Sequence, residues 1–432
     1  MRIMIVTDQY PPMVGGVPTV TQGLAIDLVN RGHQVWVVAP SIGARDVHRI
    51  EHKVRTYRFS SFEWPTNEDI RIPFLPILPF RRLLKKADPD IIHIHSPVVL
   101  GNIAQIVAGG LRKPVIATNH YLPINMSRSL TSDPIIGKPF TTVSYTYLVH
   151  FCNRCEYVTA PTMTALNLLY EHGLRAPARA ISNGIDLKKF SPGQPDEQLR
   201  LRFKLPQDRP LILSVNRLSQ EKRIDVLIDA AAKLTQHAHV AIASTGPAEA
   251  DLRAQVERLN LNDKVTFLGF IDDAELAPLY HLADIFAIPS QAELQSLTTM
   301  EAMACGLPVV AANAYALPEL VRHQENGFLF QRGNSDEMAS YLDTLVGDAA
   351  LRKQMGAKSL EIIAKHDRTL VLDEWETLYR SLSNEFIEAK ERKLRQNRER
   401  KYPGYVRPKI HRPHIVRAGE LRLDQHFLAE EQ

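Results

Sequence analysis

The chain has 432 residues, of which 44% are hydrophobic and 23% are charged, and its formal net charge is +4. These values are typical of a soluble globular protein long enough for two or three domains with full hydrophobic cores. No run approaches the roughly 18 consecutive apolar residues of a membrane-spanning helix, and the apolar start is too short for a signal peptide, so we expect a cytoplasmic protein.

The first part of the chain alternates apolar strands with helical segments. "RIMIVTD" and "HQVWVVAP" are predicted strands, and "PTVTQGLAIDLVNRG" between them is a predicted helix ending at Gly32. Further strands are predicted at "PDIIHIHSP", "KPVIATNH" and "YVTAP", separated by helical stretches. This alternation predicts a parallel sheet covered by helices.

The same alternation restarts near residue 210. Strands are predicted at "PLILSVNRL", "HVAIAST", "KVTFLGF" and "DIFAIPS", again with helices between them. Gly and Pro cluster just before the first of these strands, so a domain boundary is expected there. We therefore predict two doubly wound α/β domains, over residues 1–185 and 186–365.

The end of the chain is basic. We predict a helix over residues 366–388 that packs back on the N-terminal domain, then a partly disordered tail over 389–432. Residues 389–417 hold 11 Lys and Arg against 2 Glu. A solvated tail is the simplest interpretation, and attraction to an anionic membrane or to nucleic acid is the alternative. Nucleic acid is not expected as a partner.

Two cations follow the first strand of the second domain. Arg217 and Lys222 lie in "SVNRLSQEK", at the carboxyl end of the strand, where open α/β sheets bind their ligands. Two positive charges there suit a diphosphate, because each close charge pair is worth several kcal/mol near a protein surface. Ordinary surface charge is the alternative.

Two glutamates flank the start of a later helix, in "QAELQSLTTMEAM". If Ser296 is the N-cap, the amides around Leu297 and Thr298 can hold phosphate oxygens. Glu293 and Glu301 would be repelled by phosphates, so they are expected to accept hydrogen bonds from sugar hydroxyls. Stabilisation of the helix dipole is the alternative, and it explains one glutamate more easily than two.

Several motifs together resemble glycosyltransferase family 4. They are "DQYPPMVGGVPTV", "ISNGIDLKKFSP", "VNRLSQEK", "VTFLGF" and "PSQAELQSLTTMEAMACGLPVVA", in this order along residues 1–380. The resemblance implies a retaining enzyme of the GT-B fold, with two Rossmann-like domains facing across a cleft. It also implies that the C-terminal domain holds most of a nucleotide-sugar donor and the N-terminal domain most of the acceptor.

The resemblance assigns roles to individual residues. It places Glu293 on donor-sugar hydroxyls, Glu301 on the nucleotide ribose and His120 on the donor sugar. The catalytic residues that it implies are His120, Glu293, Arg217 and Lys222. The remaining donor-binding positions are Arg217 and Lys222 on the diphosphate, the glycine turn Gly15-Gly16, and Ser296, Leu297 and Thr298 at the helix start. No covalent intermediate, metal or other cofactor is implied. The family commonly has Gly-Phe-Gly where this chain has Leu294-Gln295-Ser296, which weakens any transfer of sugar preference.

The acceptor prediction rests on another segment. "RIPFLPILPFRRLLKK" joins apolar residues to Arg81, Arg82, Lys85 and Lys86, as in an element that meets an anionic membrane surface. A buried loop leading into an ordinary surface helix is the alternative. "TNHYLPINM" and the glutamate motif further resemble the diacylglycerol glucosyltransferase and lipid mannosyltransferase branch.

This branch implies a lipid acceptor, UDP-glucose as donor with GDP-mannose second, and a peripheral position on the inner face of the plasma membrane. Other hypotheses are a hexosyltransferase for a soluble sugar or polysaccharide precursor, a sugar-nucleotide epimerase, and a non-catalytic membrane- or RNA-binding scaffold. The oligomeric state is not predicted.

Other motifs have simpler explanations. Cys152 and Cys155 match Cys-x-x-Cys spacing, but the chain has three cysteines and no second pair, so ordinary structural roles are favoured over a redox or zinc site. "DPD" at residues 88–90 precedes a strand at its bottom edge, where a metal role is not expected. His93 and His95 share a strand face without a third ligand, which favours packing. "MVGGVPT" lacks the dinucleotide fingerprint.

Overall fold

Residues 1–64, 67–123 and 134–401 are described by a computed structural model. Within these residues, the strands of the N-terminal half are β1 (Arg2–Val6), β2 (Gln34–Pro40), β3 (Val47–Glu51), β4 (Val54–Phe59), β5 (Ser61–Trp64), β6 (Asn67–Pro73), β7 (Ile91–Ile94), β8 (Val115–Thr118), β9 (Tyr157–Ala160) and β10 (Ala178–Ala180). The accompanying helices are α1 (Gly16–Asn30), α2 (Ile77–Ala87), α3 (Val99–Leu111), α4 (Pro134–Cys152) and α5 (Met163–Glu171).

The first large sheet has the order β10-β9-β8-β7-β1-β2-β4-β3. Its strands are parallel except β3, which runs antiparallel to β4 at the edge, while β5 and β6 pair separately. Strand β1 is almost entirely apolar and buried, because a parallel sheet covered on both faces leaves no strand face for water.

The second large sheet belongs to the C-terminal half. Its strands are β11 (Leu211–Val215), β12 (His239–Ala243), β13 (Val265–Gly269), β14 (Ile285–Ile288), β15 (Val309–Ala312) and β16 (Gly327–Phe330). The helices are α6 (Glu197–Arg202), α7 (Ile224–Lys233), α8 (Glu249–Arg258), α9 (Leu276–Leu282), α10 (Leu297–Ala304), α11 (Leu317–Leu320), α12 (Ser335–Gly347), α13 (Ala349–Ile363) and α14 (Arg368–Lys401). The strand order is β13-β12-β11-β14-β15-β16, and all pairs are parallel.

Both sheets have a topological switch point. In the first sheet, β1 lies between β2 and β7, and in the second, β11 lies between β12 and β14. Connections leave such neighbouring strands in opposite directions and open a crevice at their carboxyl ends, where ligands bind. The loops that follow β1, β11 and β14 are therefore the expected lining of a site.

The helix at the C-terminal end returns to the first sheet. Trp375 and Tyr379 of α14 are buried in one apolar cluster with Ile3, Ile5 and Val37. His33 at the start of β2 also contacts Glu376, with Nε2 2.6 Å from Oε1. The exact domain limits stay a prediction.

Three details differ from the sequence-based expectations. Helix α1 begins at Gly16 and ends at Asn30, before Gly32. Strands β3 to β6 were not predicted, because edge strands such as "VHRIE" carry mostly exposed polar residues. Helix α14 continues to Lys401, so residues 389–401 of the predicted tail are helical, and the rest of that tail lies outside the described residues.

Residues 1–383 form one compact unit that contains both large sheets, and residues 384–432 form a second. In the second unit, the structure describes residues 384–401, which are helical.

Candidate active site

Two loops of the C-terminal half meet beside the switch point of its sheet. The loop after β11 tightens into a short helical turn over Gln220–Lys222, and the Gln291 amide after β14 donates to the Glu221 carbonyl at 3.0 Å. Lys222 Nζ donates to Glu293 Oε1 at 2.6 Å, and Glu293 is 7% exposed. Two predicted site residues of opposite charge thus form one half-buried ion pair.

The start of helix α10 lies in the same loop. Ser296 is its N-cap, and Ser296 Oγ accepts from the Thr299 amide at 3.2 Å. The amides of Leu297 and Thr298, in the first turn, have no acceptor within the helix. The predicted cap is confirmed, and the helix start carries the partial positive charge that favours anions.

The glycine turn of the N-terminal half faces this helix start. Gly15 has φ 156° and ψ 172°, a combination that is essentially restricted to glycine. A side chain at Gly16 would begin 3.9 Å from Leu297 Cδ1. The backbone after β1 therefore approaches α10 closely, so the two predicted donor elements, distant in sequence, lie next to each other.

Glu301 lies about one turn into α10. Its Oε2 accepts a hydrogen bond from the Tyr280 hydroxyl at 2.8 Å. Although part of Glu301 reaches solvent, desolvation raises the pKa of its carboxyl to about 7, against the lowering effects of Tyr280 and Lys189. Tyr280 is fully buried. The sequence analysis did not identify it, since a tyrosine in the apolar pattern of α9 looks like ordinary core.

Arg217 lies on the loop after β11, two residues beyond the strand, and its side chain is exposed. It shares this loop with Lys222. The donor-side residues are thus carried by three chain segments: the loop after β11, the loop after β14 with the start of α10, and the glycine turn after β1. Their individual roles stay predictions.

His120 follows β8 in the N-terminal half. Its Nε2 lies 2.9 Å from Nδ1 of His95, and the two nearly parallel rings lie side by side with centroids 5.2 Å apart. Leu122 shares a buried cluster with Ala292 and Leu294, which flank Glu293. His120 is therefore on a loop that packs against the donor-side loop.

The Leu294-Gln295-Ser296 segment, where the family commonly has Gly-Phe-Gly, connects the two halves. The Leu294 carbonyl accepts from Thr162 Oγ1 at 2.8 Å. Gln295 Oε1 accepts from the Asn183 amide at 2.8 Å, and Gln295 Nε2 donates to Ser182 Oγ at 3.0 Å. The Gln295 side chain thus adds contacts between the two halves that a glycine could not make, beside the backbone contact of Leu294.

Asp8 lies two residues after the end of β1 and is another buried group that was not identified from the sequence. Its Oδ1 accepts from the Leu100 amide at 2.9 Å, at the start of α3. Desolvation raises the pKa of this carboxyl to about 6. A lone aspartate after a strand gives no distinctive pattern, so the sequence offered little signal for it.

The motifs with simpler explanations have structural surroundings. Cys152 and Cys155 are buried free thiols; burial raises the pKa of Cys152 well above its usual value and that of Cys155 to about 12. Asp88 forms ion pairs with Arg2 and Lys113. Across the described ranges, no group of three or more His, Cys, Asp or Glu side chains is arranged to hold a metal ion.

Two family models match the chain. Residues 14–189 match Glycosyltransferase Family 4, and residues 196–361 match Glycosyl transferases group 1. The first range contains every strand of the first large sheet except β1, and the second contains all strands of the second large sheet.

Related proteins are named for different glycosyl transfers. An alpha-monoglucosyldiacylglycerol synthase from Streptococcus pneumoniae is 28% identical over 390 residues, 85% of this chain and 83% of that protein. A GDP-mannose-dependent alpha-mannosyltransferase from Corynebacterium glutamicum is 27% identical over 395 residues, 90% of this chain and 89% of that protein.

A solved structure has the same architecture. Anabaena HepE in complex with UDP-glucose has a TM-score of 0.71 at 23% identity, covering 87% of this chain and 99% of HepE. The likeness confirms the predicted α/β fold with two Rossmann-like domains, the GT-B fold.

Proposed function

The chain belongs to glycosyltransferase family 4, and from that premise we propose that this hexosyltransferase moves a hexose, glucose in the simplest case, from a nucleotide diphosphate sugar to a membrane lipid such as diacylglycerol. The observation that carries the proposal is the pairing of Lys222 with Glu293, 2.6 Å apart, beside the start of α10. One crevice thus offers a cation and free amides for a diphosphate, and a carboxylate for sugar hydroxyls.

The groups on the donor side form two sets, one of positive groups and one of carboxylates. Lys222, Arg217 and the first-turn amides of α10 stabilise the diphosphate, because they place positive charge where negative charge develops as the leaving group departs. Glu293 and Glu301 accept hydrogen bonds from the sugar and the ribose. A phosphate competes with Glu293 for Lys222, so donor binding releases Glu293 for the sugar.

The proposed step retains the configuration at the anomeric carbon. The bond from that carbon to the phosphate oxygen breaks, and its electron pair leaves with the diphosphate. The acceptor oxygen bonds to the same face, and its proton passes to the departing diphosphate oxygen. The cationic groups of the chain supply the charge that this step needs, so the mechanism as proposed uses neither a metal nor a covalent enzyme intermediate.

A lipid acceptor is supported by an exposed apolar surface in the N-terminal half. Phe74, Leu75 and Leu78 are 57%, 68% and 64% exposed, at and just before α2. On the same helix Phe80, Leu83 and Leu84 face the core, whereas Arg81, Arg82, Lys85 and Lys86 are exposed. Exposed apolar side chains beside cations suit an anionic bilayer surface.

A cavity of about 430 Å³ lies beside this surface. Its lining includes Tyr57, Phe59, Arg82 and Lys86, with one acidic side chain, Asp46. Throughout the described residues, no helix combines the length and apolarity needed to cross a bilayer. We propose peripheral binding at the inner face of the plasma membrane, a position consistent with the name of the related lipid glucosyltransferase.

A mannosyltransferase is the second candidate. The Corynebacterium relative named for GDP-mannose covers 90% of this chain at 27% identity, about as similar as the lipid glucosyltransferase. The donor-side contacts bind diphosphate and hydroxyls and do not select between the two nucleotides.

The function is tested by thermal stabilisation with UDP-, GDP- and ADP-sugars, followed by turnover with the stabilising donor and fractionated lipid extracts. The proposal expects stabilisation by UDP-glucose and a glucolipid product identified by mass spectrometry. Stabilisation by GDP-mannose with a mannosylated product favours the second candidate. Release of nucleotide with an altered free sugar, unaffected by any acceptor, would indicate an epimerase.

The membrane proposal is tested by flotation with vesicles rich in anionic lipid at low salt. Replacing Arg81, Arg82, Lys85 and Lys86 by Gln should abolish most binding, since each cation near the surface contributes about 1 kcal/mol. A matched control replaces Lys233, Arg253, Arg258 and Lys353, exposed basic residues of the C-terminal half, and should bind like the unaltered protein. Absence of flotation by the unaltered protein would refute the proposal.

A further inference from the structure

Three histidine rings form a row at the carboxyl edge of the first sheet. His93 in β7 and His95 just after it have ring centroids 3.9 Å apart and planes inclined by 41°. The ring of His120, after β8, lies beside that of His95, with an interplanar angle of 8° and centroids 5.2 Å apart. His93 and His95 are 0% and 2% exposed, respectively. Of the three, His120 at the outer end of the row is partly open to solvent.

The two ring nitrogens of His95 have different surroundings. Nδ1 lies 2.9 Å from His120 Nε2. Nε2 is buried and has no hydrogen-bond partner in the described part of the chain. A buried N–H without an acceptor is costlier and rarer than a buried lone pair without a donor. His95 therefore carries its proton on Nδ1 and donates a hydrogen bond from Nδ1 to His120 Nε2.

We infer that His95 is a positioning residue that holds His120 as the tautomer with its proton on Nδ1, so that His120 presents a hydrogen-bond donor to the bound substrate. The assignment of His120 to the substrate rests on the proposed function. The tautomer follows because His120 Nε2 must accept from His95, which leaves Nδ1 as the only protonated nitrogen of a neutral ring.

His93 lies at the inner end of the row and is held by two hydrogen bonds. Its Nδ1 lies 2.7 Å from the Tyr379 hydroxyl of α14, and its Nε2 lies 2.6 Å from Thr118 Oγ1. With both nitrogens engaged, this ring cannot rotate freely, and it holds the adjacent His95 ring in place. Burial lowers the pKa of His93 and His95, and that of His120 to about 4, so all three rings are neutral at neutral pH.

This hydrogen-bond pattern restricts the proton transfers that His120 can carry out. Its Nε2 lone pair is occupied by the His95 proton, and its Nδ1 already carries a proton. His120 therefore cannot take the proton of the acceptor hydroxyl without losing the His95 contact. It donates a hydrogen bond to an oxygen of the sugar or acceptor, and the proton of the reaction goes to the departing diphosphate.

The tautomer can be observed directly in the unaltered full-length protein. Two-bond ¹⁵N–¹H NMR correlations on protein labelled at histidine separate protonated from unprotonated ring nitrogens, and a His120→Gln variant assigns the signals. We expect protonated Nδ1 and unprotonated Nε2 for His120 at pH 7.5. A protonated Nε2 on His120 would overturn the inference, and neither result depends on which donor the enzyme uses.

Variants of His95 supply a functional test. His95→Leu removes the donor and should lower kcat/KM about tenfold, as expected for one buried hydrogen bond. His95→Asn places an amide N–H near the position of Nδ1 and should recover most of that loss. Equal activity of the two variants, with both folded, would contradict the positioning role.

A matched control is His239, another buried histidine with one paired nitrogen. Its Nε2 lies 2.9 Å from Thr266 Oγ1, and its Nδ1 is buried without a partner among the described residues. His239→Leu should cost similar thermal stability and leave kcat/KM unchanged. A tenfold fall in kcat/KM for this control as well would show that the His95→Leu effect is only loss of packing, and would overturn the inference.

Discussion

The two sides of the crevice use different chemistry. The C-terminal side brings formal charges together: Lys222 pairs with Glu293, and the start of α10 adds a partial positive charge. The N-terminal side uses neutral groups: the rings of His93 and His95 are in contact, and His95 is hydrogen-bonded to His120. Charge suits a diphosphate, whereas neutral donors suit hydroxyl oxygens that carry little charge.

The two sides of the crevice also differ in the free-energy cost of holding a charge. Lys222 is half-buried, so its charge keeps some hydration and can exchange Glu293 for a phosphate at modest cost. His93 and His95 are so deeply buried that a charge on either ring would cost much free energy of desolvation. The donor side can therefore rearrange when ligand arrives, whereas the histidine side is preorganised.

The largest effect on turnover is expected from Lys222→Ala. The change removes the cation next to the diphosphate and leaves the Glu293 carboxylate, 7% exposed, without its partner. We expect kcat to fall about 100-fold, the size seen when one stabilising donor is removed from a transition state. Steady-state kinetics with the stabilising donor measure it.

The control for this change is Lys233→Ala. Lys233 also forms an ion pair, with Asp336 at 2.8 Å, but on the exposed surface. Its loss should leave kcat within about twofold, since exposed pairs contribute little. Near-normal turnover in Lys222→Ala would mean that the charged side does not stabilise the leaving group.

An intermediate effect is expected for the pH dependence of donor binding. Since the pKa of Glu301 is raised to about 7 by burial, this carboxyl ionises as the pH rises from 6 to 8. The ionised form is the stronger acceptor for ribose hydroxyls, so donor affinity should increase by up to about tenfold over that range. Calorimetric titration of the nucleotide at several pH values measures it, and Glu301→Gln should flatten the profile.

The Glu301 carboxyl also makes folding stability depend on pH, and this stability falls over the range in which donor affinity rises. Its pKa is raised from 4.5 to about 7 in the folded protein, so its stabilising contribution is complete below about pH 4.5 and is lost as the pH rises through about 7. The charged and titratable groups around it are Tyr280, Lys189, Asp273 and Cys305. A Glu301→Gln variant whose stability and affinity change with pH as in the unaltered protein would exclude Glu301 as their source.

The smallest effect is expected at the interface between the two halves. Gln295→Ala removes two hydrogen bonds, to Asn183 and Ser182. We expect the free energy of unfolding to fall by about 1–2 kcal/mol, measured by urea denaturation. Gln236→Ala, at an exposed glutamine, is the control and should change it by less than about 0.5 kcal/mol. Equal stability of both variants would mean that Gln295 does not hold the halves together.

The charged side was largely predictable from sequence. The cations after a strand and the carboxylates around a helix start indicated a binding site, with ordinary surface charge and helix-dipole stabilisation as the alternatives. Ser296 is indeed the N-cap. What sequence could not give was the direct contact of Lys222 with Glu293, since it depends on how two loops separated by about 70 residues meet.

The neutral side was less predictable. Alternating histidines on a strand are equally compatible with packing, which was favoured, and both are indeed buried. The contact from His95 to His120 needs neighbouring strands β7 and β8 in register, information that no local pattern contains. The same holds for Tyr280, whose hydroxyl reaches Glu301 from a different helix.

The central claim is that Lys222 and the start of α10 bind a diphosphate, and a crystal structure with the stabilising nucleoside diphosphate tests it most directly. The account predicts phosphate oxygens within hydrogen-bonding distance of Lys222 Nζ and of the Leu297 or Thr298 amide. A nucleotide bound elsewhere, with the Lys222–Glu293 pair intact, would contradict it.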